Sequence, residues 1–307
     1  MTVTERGWRR CWIYQQERFP LVAHGPLILA FSLCAVCYSS LLRGVEAFPV
    51  WPVLTVAFFS SLISFLHLRL ADEFKDLEED TRYRPYRAVP RGLVSLRELG
   101  WVWVLTGLIQ GGLAIWLDLR LLPLLMLTWI YLGLMSREFF CKSWLKAHPF
   151  TYMWTHMFIM PLIDFYATAC DWLLASGKPP GWLIWFVVVS FLNGFIIEIG
   201  RKIRGPEEEE TGVETYSVLW GRSRAVKYWL LAMGLTAAAT MVAAQHIQFF
   251  LPVAMVLGAL LVVSVGVGAR FLADPRSGKA FEVISGVWTL VLYLMLGIIP
   301  LGWRMLT

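Results

Sequence analysis

Three aspartates, Asp72, Asp76 and Asp80, follow one another at steps of four residues, directly behind a long apolar segment. If the helix of that segment continues through them, the three carboxylates share one face, with about 6 Å of rise between neighbours. Like charges at this spacing repel one another unless cations lie between them, and hard cations such as Mg²⁺ prefer oxygen ligands. The spacing suits two ions bridged by phosphate oxygens. The alternative is a solvated helix end whose acids are balanced by neighbouring Lys and Arg side chains.

A second polar segment begins with Glu198, inside or at the edge of another apolar segment. An ionisable group at that depth is costly and is a functional candidate for that reason. Arg201 and Lys202 follow it, and then the acidic run 207–210. That run alone predicts a solvated loop. Facing the first segment, however, the mixture would provide carboxylates for Mg²⁺ and basic groups for phosphate oxygens, as binding of a metal diphosphate requires.

The composition indicates what kind of molecule presents these residues. Of the 307 residues, 58% are hydrophobic and 16% are charged, which is too apolar for a soluble domain of this length. The sequence therefore predicts an all-α, polytopic membrane protein with a single transmembrane domain over residues 1–307. Apolar runs long enough to cross about 30 Å of hydrocarbon predict nine spans in one bundle. They are 25–43, 51–71, 99–117, 121–136, 150–174, 181–199, 225–245, 249–270 and 284–303.

The distribution of basic residues predicts the orientation, because cytoplasmic loops hold the excess of Lys and Arg. With a cytosolic N-terminus, only Arg43, Arg120, Lys178 and Arg304 of the 27 Lys and Arg residues lie outside. We therefore expect a cytosolic N-terminal segment, 1–24, and two cytosolic motif loops, 72–98 and 198–227. The net charge of +5 is explained by this topology and by contact with anionic membrane lipids, so no nucleic-acid partner is expected.

Three polar motifs follow one another along the chain. They are "LADEFKDLEED" at the end of the second span, "YRAVPRGLVSLREL" just after it, and "GVETYSVLWGRSRA" after the sixth. Their order resembles that of the UbiA-type superfamily of intramembrane prenyltransferases. The family's first motif reads N-D-x-x-D-x-x-x-D. Asp72 falls at its Asn position, and Glu73, Asp76 and Asp80 fall at its three Asp positions. The family's following R-P-x-x-x-G turn is matched imperfectly by Arg87, Pro90 and Gly92.

Two departures from the family pattern concern both motifs. Ala88 replaces the Pro expected after Arg87, and Lys202 stands four residues after Glu198, where the family's second motif has another Asp. Either Lys202 makes this half-site a direct phosphate binder, or the residues after Gly205 are an insertion and Glu208 completes the metal site.

The resemblance implies Mg²⁺-dependent transfer of an isoprenoid chain from a prenyl diphosphate to a lipophilic, possibly aromatic, acceptor. It implies the catalytic residues Asp72, Asp76, Asp80, Glu198 and Lys202. The expected metal ligands are Asp72, Glu73, Asp76, Asp80, Glu198 and Glu208. The expected diphosphate-binding residues are Arg87, Lys142, Arg201 and Lys202. His156, Asp164 and Asn193 are candidates for the acceptor or the pocket, with interhelical hydrogen bonding as their alternative role.

Two other functions fit parts of the sequence. A terpene cyclase on the same scaffold would ionise the same donor without a second substrate. A permease would use the acids as a cation site, but transporter sites usually lie near the midplane, whereas these acids gather at the membrane edge. We expect a bacterial inner-membrane enzyme with its active site on the cytosolic side.

Overall fold

A computed structural model describes residues 7–307, which contain helices and no strand. The first six residues, including Arg6 of the predicted cytosolic segment 1–24, lie outside this range. The helices are α1 (Gly7–Arg18), α2 (Leu21–Leu42), α3 (Trp51–Lys75), α4 (Leu77–Tyr83), α5 (Leu96–Leu117), α6 (Leu122–Ser136), α7 (Lys142–Ala147), α8 (Pro149–Met157), α9 (Ile159–Ala175), α10 (Leu183–Gly200), α11 (Tyr216–Leu219), α12 (Arg222–His246), α13 (Phe250–Ala273), α14 (Lys279–Leu296) and α15 (Ile298–Leu306).

Nine segments within residues 7–307 are helical, long and apolar enough to cross a membrane, which confirms the predicted number of spans. They are Leu21–Leu42, Trp51–Lys75, Leu96–Leu117, Leu119–Ser136, Pro149–Ala175, Leu183–Gly200, Arg222–His246, Phe250–Ala273 and Lys279–Leu306. Most helices extend a few residues past the predicted apolar runs, and at the start of α5 a capping pair defines the end. Ser95 accepts from the Glu98 N–H, and the Glu98 carboxylate accepts from the Ser95 N–H, so α5 begins at Leu96.

Two of the spans bend. The fifth divides into α8 and α9 around Phe158, and Pro161 lies in the first turn of α9, where its missing N–H leaves no hydrogen bond unmade. The second span does not continue as one straight helix through the aspartates, which corrects the assumption of a single helical face. Asp76 has φ −98° and ψ 7°, and it separates α3 from α4. Asp72 therefore lies on one helix and Asp80 on the next.

The interior of the bundle is formed mainly by α2, α3, α9, α10, α12 and α14. Its largest fully buried side chains include Trp229, Trp288, Tyr38 and Phe186. In contrast, only 17% of the residues in the apolar stretch of α5 are buried inside the protein, and the share is the same for α13. Their outer faces carry exposed apolar side chains such as Leu105 and Val262, as expected of helices that contact lipid.

One end of the bundle carries both motif segments, 72–98 and 198–227, and we call it the motif end. Helix α1 packs on it through Tyr14, which contacts a small apolar cluster with Leu70, Ala88, Val94 and Leu99. This contact joins the N-terminal segment to the sequence that contains the first acidic motif.

Candidate active site

The two motif segments touch each other. The Tyr86 hydroxyl donates a hydrogen bond to Oε2 of Glu210 over 3.2 Å. Nearby, Gly212 adopts φ +78° and lies against Tyr83 of α4, so closely that a Cβ atom there would stand 2.4 Å from the Tyr83 ring. Glycine is required here both by the backbone conformation and by the space. Segments separated by more than a hundred residues therefore meet at the motif end.

Several acids of the first motif already have internal partners. Nε of Arg18, at the end of α1, lies 2.5 Å from the buried Glu73 carboxylate. The carboxylate of Asp80, also buried, lies 2.9 Å from Arg84 and 2.6 Å from Arg87. Arg87, a predicted diphosphate ligand, is thus engaged with a predicted metal ligand.

Asp72 and Asp76 have fewer close cationic partners than the other two acids of this motif, Glu73 and Asp80. Asp72 is 36% exposed at its side chain and lies 3.3 Å from Arg69. Asp76 forms no ion pair within residues 7–307. Burial raises the pKa of Asp76, and the neighbouring charges of Asp72 and Asp80 raise it further, while Lys75 lowers it. A carboxylate in this environment gains from a nearby cation.

The second motif forms its own cluster of charges around Glu198. This buried carboxylate lies 2.5 Å from Nη2 of Arg201 and 2.8 Å from Nζ of Lys202. The Lys202 ammonium also lies over the ring of Tyr216, 5.3 Å from its centroid. Arg201 interacts electrostatically with Asp72 across the gap between the motifs. The structure therefore brings Asp72, Glu198, Arg201 and Lys202 into one charged region.

A further buried cluster was not predicted from the sequence. The Lys75 ammonium donates to the Tyr152 hydroxyl over 2.8 Å and lies 3.5 Å from the Glu138 carboxylate. Nε2 of His156 lies 3.3 Å from the same carboxylate. Lys75 interacts electrostatically with Asp76 as well, so the cluster adjoins the first motif.

The backbone that carries Glu138 is strained. Glu138, Phe139 and Phe140 have φ values of 50°, 50° and 59°, a left-handed conformation that non-glycine residues rarely adopt. Burial alone would raise the pKa of Glu138, but the nearby His156 ring and the charge of Lys75 bring it below its usual value. Strain of this kind in a short connection is a signal of function, although it cannot be read from the sequence.

The two lysines after the fourth span have different surroundings. Lys142, a predicted diphosphate ligand, is exposed at the start of α7. Lys146 forms an ion pair with Glu79 of α4, and this hydrogen bond lowers the pKa of Glu79. Helix α7 is thereby tied to the first motif, with Lys142 at its exposed end.

Glu208 holds a loop together. Its Oε2 accepts hydrogen bonds from the backbone N–H groups of Gly278, at 2.7 Å, and Gly205, at 3.0 Å. Its Oε1 accepts from the Ser277 hydroxyl at 2.5 Å. Both carboxylate oxygens therefore join the second motif loop to the connection between α13 and α14.

Asp164 and Asn193 lie in the interior, away from these charged clusters. The Tyr293 hydroxyl donates to Asp164 over 2.6 Å, and the Thr289 hydroxyl donates to Oδ1 of Asn193 over 3.2 Å. These bonds link α9 and α10 to α14, as the alternative interhelical role requires. His156 instead belongs to the cluster around Glu138.

The carboxylates at the motif end are suited to bind a magnesium ion together with phosphate oxygens of a substrate. No group of three or more His, Cys, Asp or Glu side chains within residues 7–307 is arranged to hold a metal alone. Mg²⁺ commonly binds through one or two carboxylates together with waters and substrate phosphates. Asp72 and Asp76, which have few cationic partners inside the protein, could supply such carboxylates. Glu73 and Asp80 instead form ion pairs with arginines, and Glu208 accepts hydrogen bonds within its loop.

Comparison with solved structures identifies two similar folds. One is the apo structure of a UbiA homologue from Aeropyrum pernix K1, with a TM-score of 0.65 and 14% sequence identity, covering 91% of this chain and 96% of that chain. The other comes from a study of digeranylgeranylglyceryl phosphate synthase in membranes, with a TM-score of 0.57 and 13% identity, covering 97% and 98%. At these identities the likeness shows a shared fold.

Among curated proteins, no sequence matches this one. The model of the UbiA prenyltransferase family does match, over residues 31–290. The matched region runs from α2 into α14 and includes both motif segments. The chain therefore belongs to the UbiA prenyltransferase family.

Proposed function

We propose that this protein is a Mg²⁺-dependent prenyltransferase that uses a prenyl diphosphate as donor and a lipophilic, possibly aromatic, compound as acceptor. The main support is the meeting of the two motif segments at one end of an apolar helical bundle. There, Asp72 on the first segment lies near enough to Arg201 on the second for their charges to interact, and Lys202 is bound to Glu198 beside Arg201. This arrangement matches a substrate with a charged head and a long apolar tail.

The diphosphate would bind between the two motif segments. Arg201 and Lys202 are positioned to donate hydrogen bonds to phosphate oxygens, and exposed Lys142 is a further candidate donor. Glu198 holds the first two cations in place until the substrate arrives. When bound by Asp72 and Asp76, Mg²⁺ would neutralise charge on the leaving diphosphate. Arg87 would act through Asp80, by fixing the segment that follows the acids.

The prenyl tail would lie among apolar side chains inside the bundle, where each buried CH₂ contributes about 0.8 kcal/mol. Cleavage of the allylic C–O bond leaves positive charge on the carbon fragment, so the site must be dry and should present aromatic faces. Tyr152 and Tyr216 lie beside the two charged clusters and are suitable candidates. Transfer then forms a bond to the acceptor and releases a proton.

Incubation of the purified protein with a prenyl diphosphate tests this proposal. We expect diphosphate release that needs both Mg²⁺ and a lipophilic acceptor, with the prenyl group recovered on the acceptor. A cyclic hydrocarbon or alcohol formed without an acceptor would instead identify the terpene cyclase. No reaction with prenyl diphosphates of several lengths, across a panel of acceptors, would contradict both functions.

We also propose that the motif end faces the cytosol of a bacterium, as the distribution of Lys and Arg indicates. Single cysteines introduced at Tyr86 and Glu210, whose side chains touch, should react with an impermeant reagent applied from the cytosolic side. Labelling of either position from outside would show that the motif end faces away from the cytosol and would contradict this proposal.

A further inference from the structure

A groove beside the first motif segment opens among the ends of three spans. It has a volume of about 440 Å³ and is lined by Ala71, Phe74 and Lys75 of α3, Gly100 and Trp103 of α5, and Ser136 and Arg137 at the end of α6. Protein sites for small ligands commonly have volumes of about 300–1,000 Å³. The groove is therefore large enough to hold part of a ligand.

The walls of the groove are apolar and aromatic. Phe74 is 43% exposed, and its ring meets that of Trp103 edge to face, with the centroids 6.3 Å apart. Trp103 also stacks on the ring of His67, with the two ring centroids 5.1 Å apart. There is free space beside Gly100, because the nearest atom to a Cβ added there would be Cζ of Phe74, at 3.8 Å. This surface suits a hydrocarbon chain.

Of the two basic side chains that line the groove, Arg137 is the one without an ion-pair partner within residues 7–307. Arg137 is exposed, whereas the Lys75 ammonium is already bound to Tyr152 and Glu138. The negative end of α6 lies nearby, but a helix terminus carries only about half a unit charge, so the full charge of Arg137 dominates. An anionic group is therefore favoured at the mouth.

The strained turn after α6 explains how Arg137 is held there. Glu138 is buried against Lys75 and His156, and Glu138 to Phe140 adopt a left-handed conformation directly after Arg137. A buried anchor thus adjoins an exposed guanidinium. The position is at the end of three spans, the depth at which the headgroups of a bilayer lie.

We propose that this groove is a binding site for an anionic phospholipid of the surrounding bilayer. Arg137 would bind the phosphate, and an acyl chain would lie along Phe74, Gly100 and Trp103. Arginine suits this role because its planar fork of N–H groups matches phosphate oxygens. The groove shares Phe74 and Lys75 with the first motif segment, but its proposed phosphate ligand, Arg137, lies outside both motif segments, and the proposal does not depend on the proposed reaction.

Native mass spectrometry of the full chain in detergent tests the proposal through lipid retention. Phosphatidylglycerol and phosphatidylcholine with identical acyl chains are compared. We expect the wild type to favour the anionic lipid about fivefold, equivalent to about 1 kcal/mol. The R137A variant should lose this preference. The matched control is R97A. Arg97 is also exposed and forms no ion pair within residues 7–307, and it lies in the first turn of α5, near the groove but not in its lining.

A second pair of variants tests the chain-binding part. G100L fills the groove and should reduce retention of both lipids, whereas G100A adds a methyl group that fits and should not. An unchanged preference in R137A, an equal loss in R97A, or full retention in G100L would overturn the proposal. Displacement of the lipid by inorganic phosphate alone would indicate a free-anion site. A dimer that G100L abolishes would indicate that a second copy fills the groove. Either result also overturns it.

Discussion

Nε of Arg18 lies 2.5 Å from the carboxylate of Glu73, which is buried, although 55 residues separate the two side chains in the sequence. Only 12% of the Arg18 side chain and 1% of the Glu73 side chain is exposed. Glu17 and Arg91 form a second link between α1 and the first motif segment, at 2.7 Å. The N-terminal helix is therefore part of the motif end, and its last residue neutralises one of the acids predicted to bind metal.

Removal of Arg18 should destabilise the protein. In R18A, Glu73 stays buried without a partner, and breaking a buried ion pair in this way costs about 3–5 kcal/mol. We expect a clear fall in the thermal unfolding midpoint of the detergent-solubilised protein. The double variant R18M/E73Q removes both charges and should recover most of that loss. An R18A protein as stable as the wild type would show that the pair is not formed.

The same double variant tests whether Glu73 binds metal, as the family motif predicts. Because Glu73 is already paired with Arg18, we expect the R18M/E73Q protein to depend on Mg²⁺ concentration as the wild type does. Recovered stability combined with a much higher Mg²⁺ requirement would instead make Glu73 a metal ligand.

Asp76 and Asp80 should respond differently to the loss of charge, although both occupy Asp positions of the family motif. Asp76 has no ion pair within the described part of the chain and its pKa is raised by burial and by neighbouring acids, so D76N should leave the unfolding midpoint unchanged or higher. If Asp76 holds Mg²⁺, turnover should fall by about a hundredfold or more, because such a metal contributes several kcal/mol.

D80N should lower stability as well as activity. Asp80 is buried between Arg84 and Arg87, and the substitution leaves two arginines without their anion. Thermal unfolding and turnover, measured on the same preparations, separate the two cases. Equal stability loss in D76N and D80N would contradict the distinction drawn between these carboxylates.

The bundle could be predicted from the sequence because membrane burial leaves a strong local signal. The nine predicted apolar runs correspond to nine helical spans within residues 7–307, and the differences are confined to ends and bends. The bend at Asp76 has no such signal. No proline or glycine marks it, and the i, i+4 spacing of the acids fits a straight helix equally well.

The partners of the charged side chains could not be predicted in the same way. Spacing along a helix identifies acids that share a face, but it does not reveal a guanidinium that arrives from 55 residues away, as Arg18 does. Glu138 was missed because its burial depends on a left-handed turn of non-glycine residues, which no composition rule indicates. Glu208 is a metal ligand in the sequence prediction if the residues after Gly205 are an insertion, whereas in the structure its carboxylate accepts hydrogen bonds from the distant loop at Ser277 and Gly278.

Contact between the motif loops should be sensitive to the size of residue 212. In G212A, the added methyl group would stand 2.4 Å from the Tyr83 ring, so the loops must separate or the ring must move. Gly92 is a matched control, because it has nearly the same backbone conformation, φ +76°, with open space around it. Each alanine should lower stability by about 1–2 kcal/mol through its left-handed backbone.

Only G212A should also weaken binding of the prenyl diphosphate, seen as a higher KM. A further variant, G212A with Y83A, removes the ring and should restore part of that binding. If G92A and G212A raise KM equally, the contact between the loops has no role in holding the substrate.

Glu208 should stabilise the protein without binding metal. The E208A variant loses three hydrogen bonds that join residues 205 and 277–278, so its unfolding midpoint should fall while its Mg²⁺ requirement stays the same. E207A is the matched control, since Glu207 is its exposed neighbour. Burial alone would raise the pKa of Glu208, but the hydrogen bonds from Gly278, Ser277 and Gly205 hold it below its usual value.

A carboxyl whose pKa is lowered by folding adds stability above its unfolded-state pKa, about 4.3, and loses it as the pH falls through the folded-state value. The difference in unfolding midpoint between wild type and E208A should therefore be full at neutral pH and shrink in acid, whereas E207A should match the wild type throughout. An E208A protein with unchanged stability at neutral pH and a raised Mg²⁺ requirement would show that Glu208 completes the metal site, because the loop hydrogen bonds would then contribute nothing measurable.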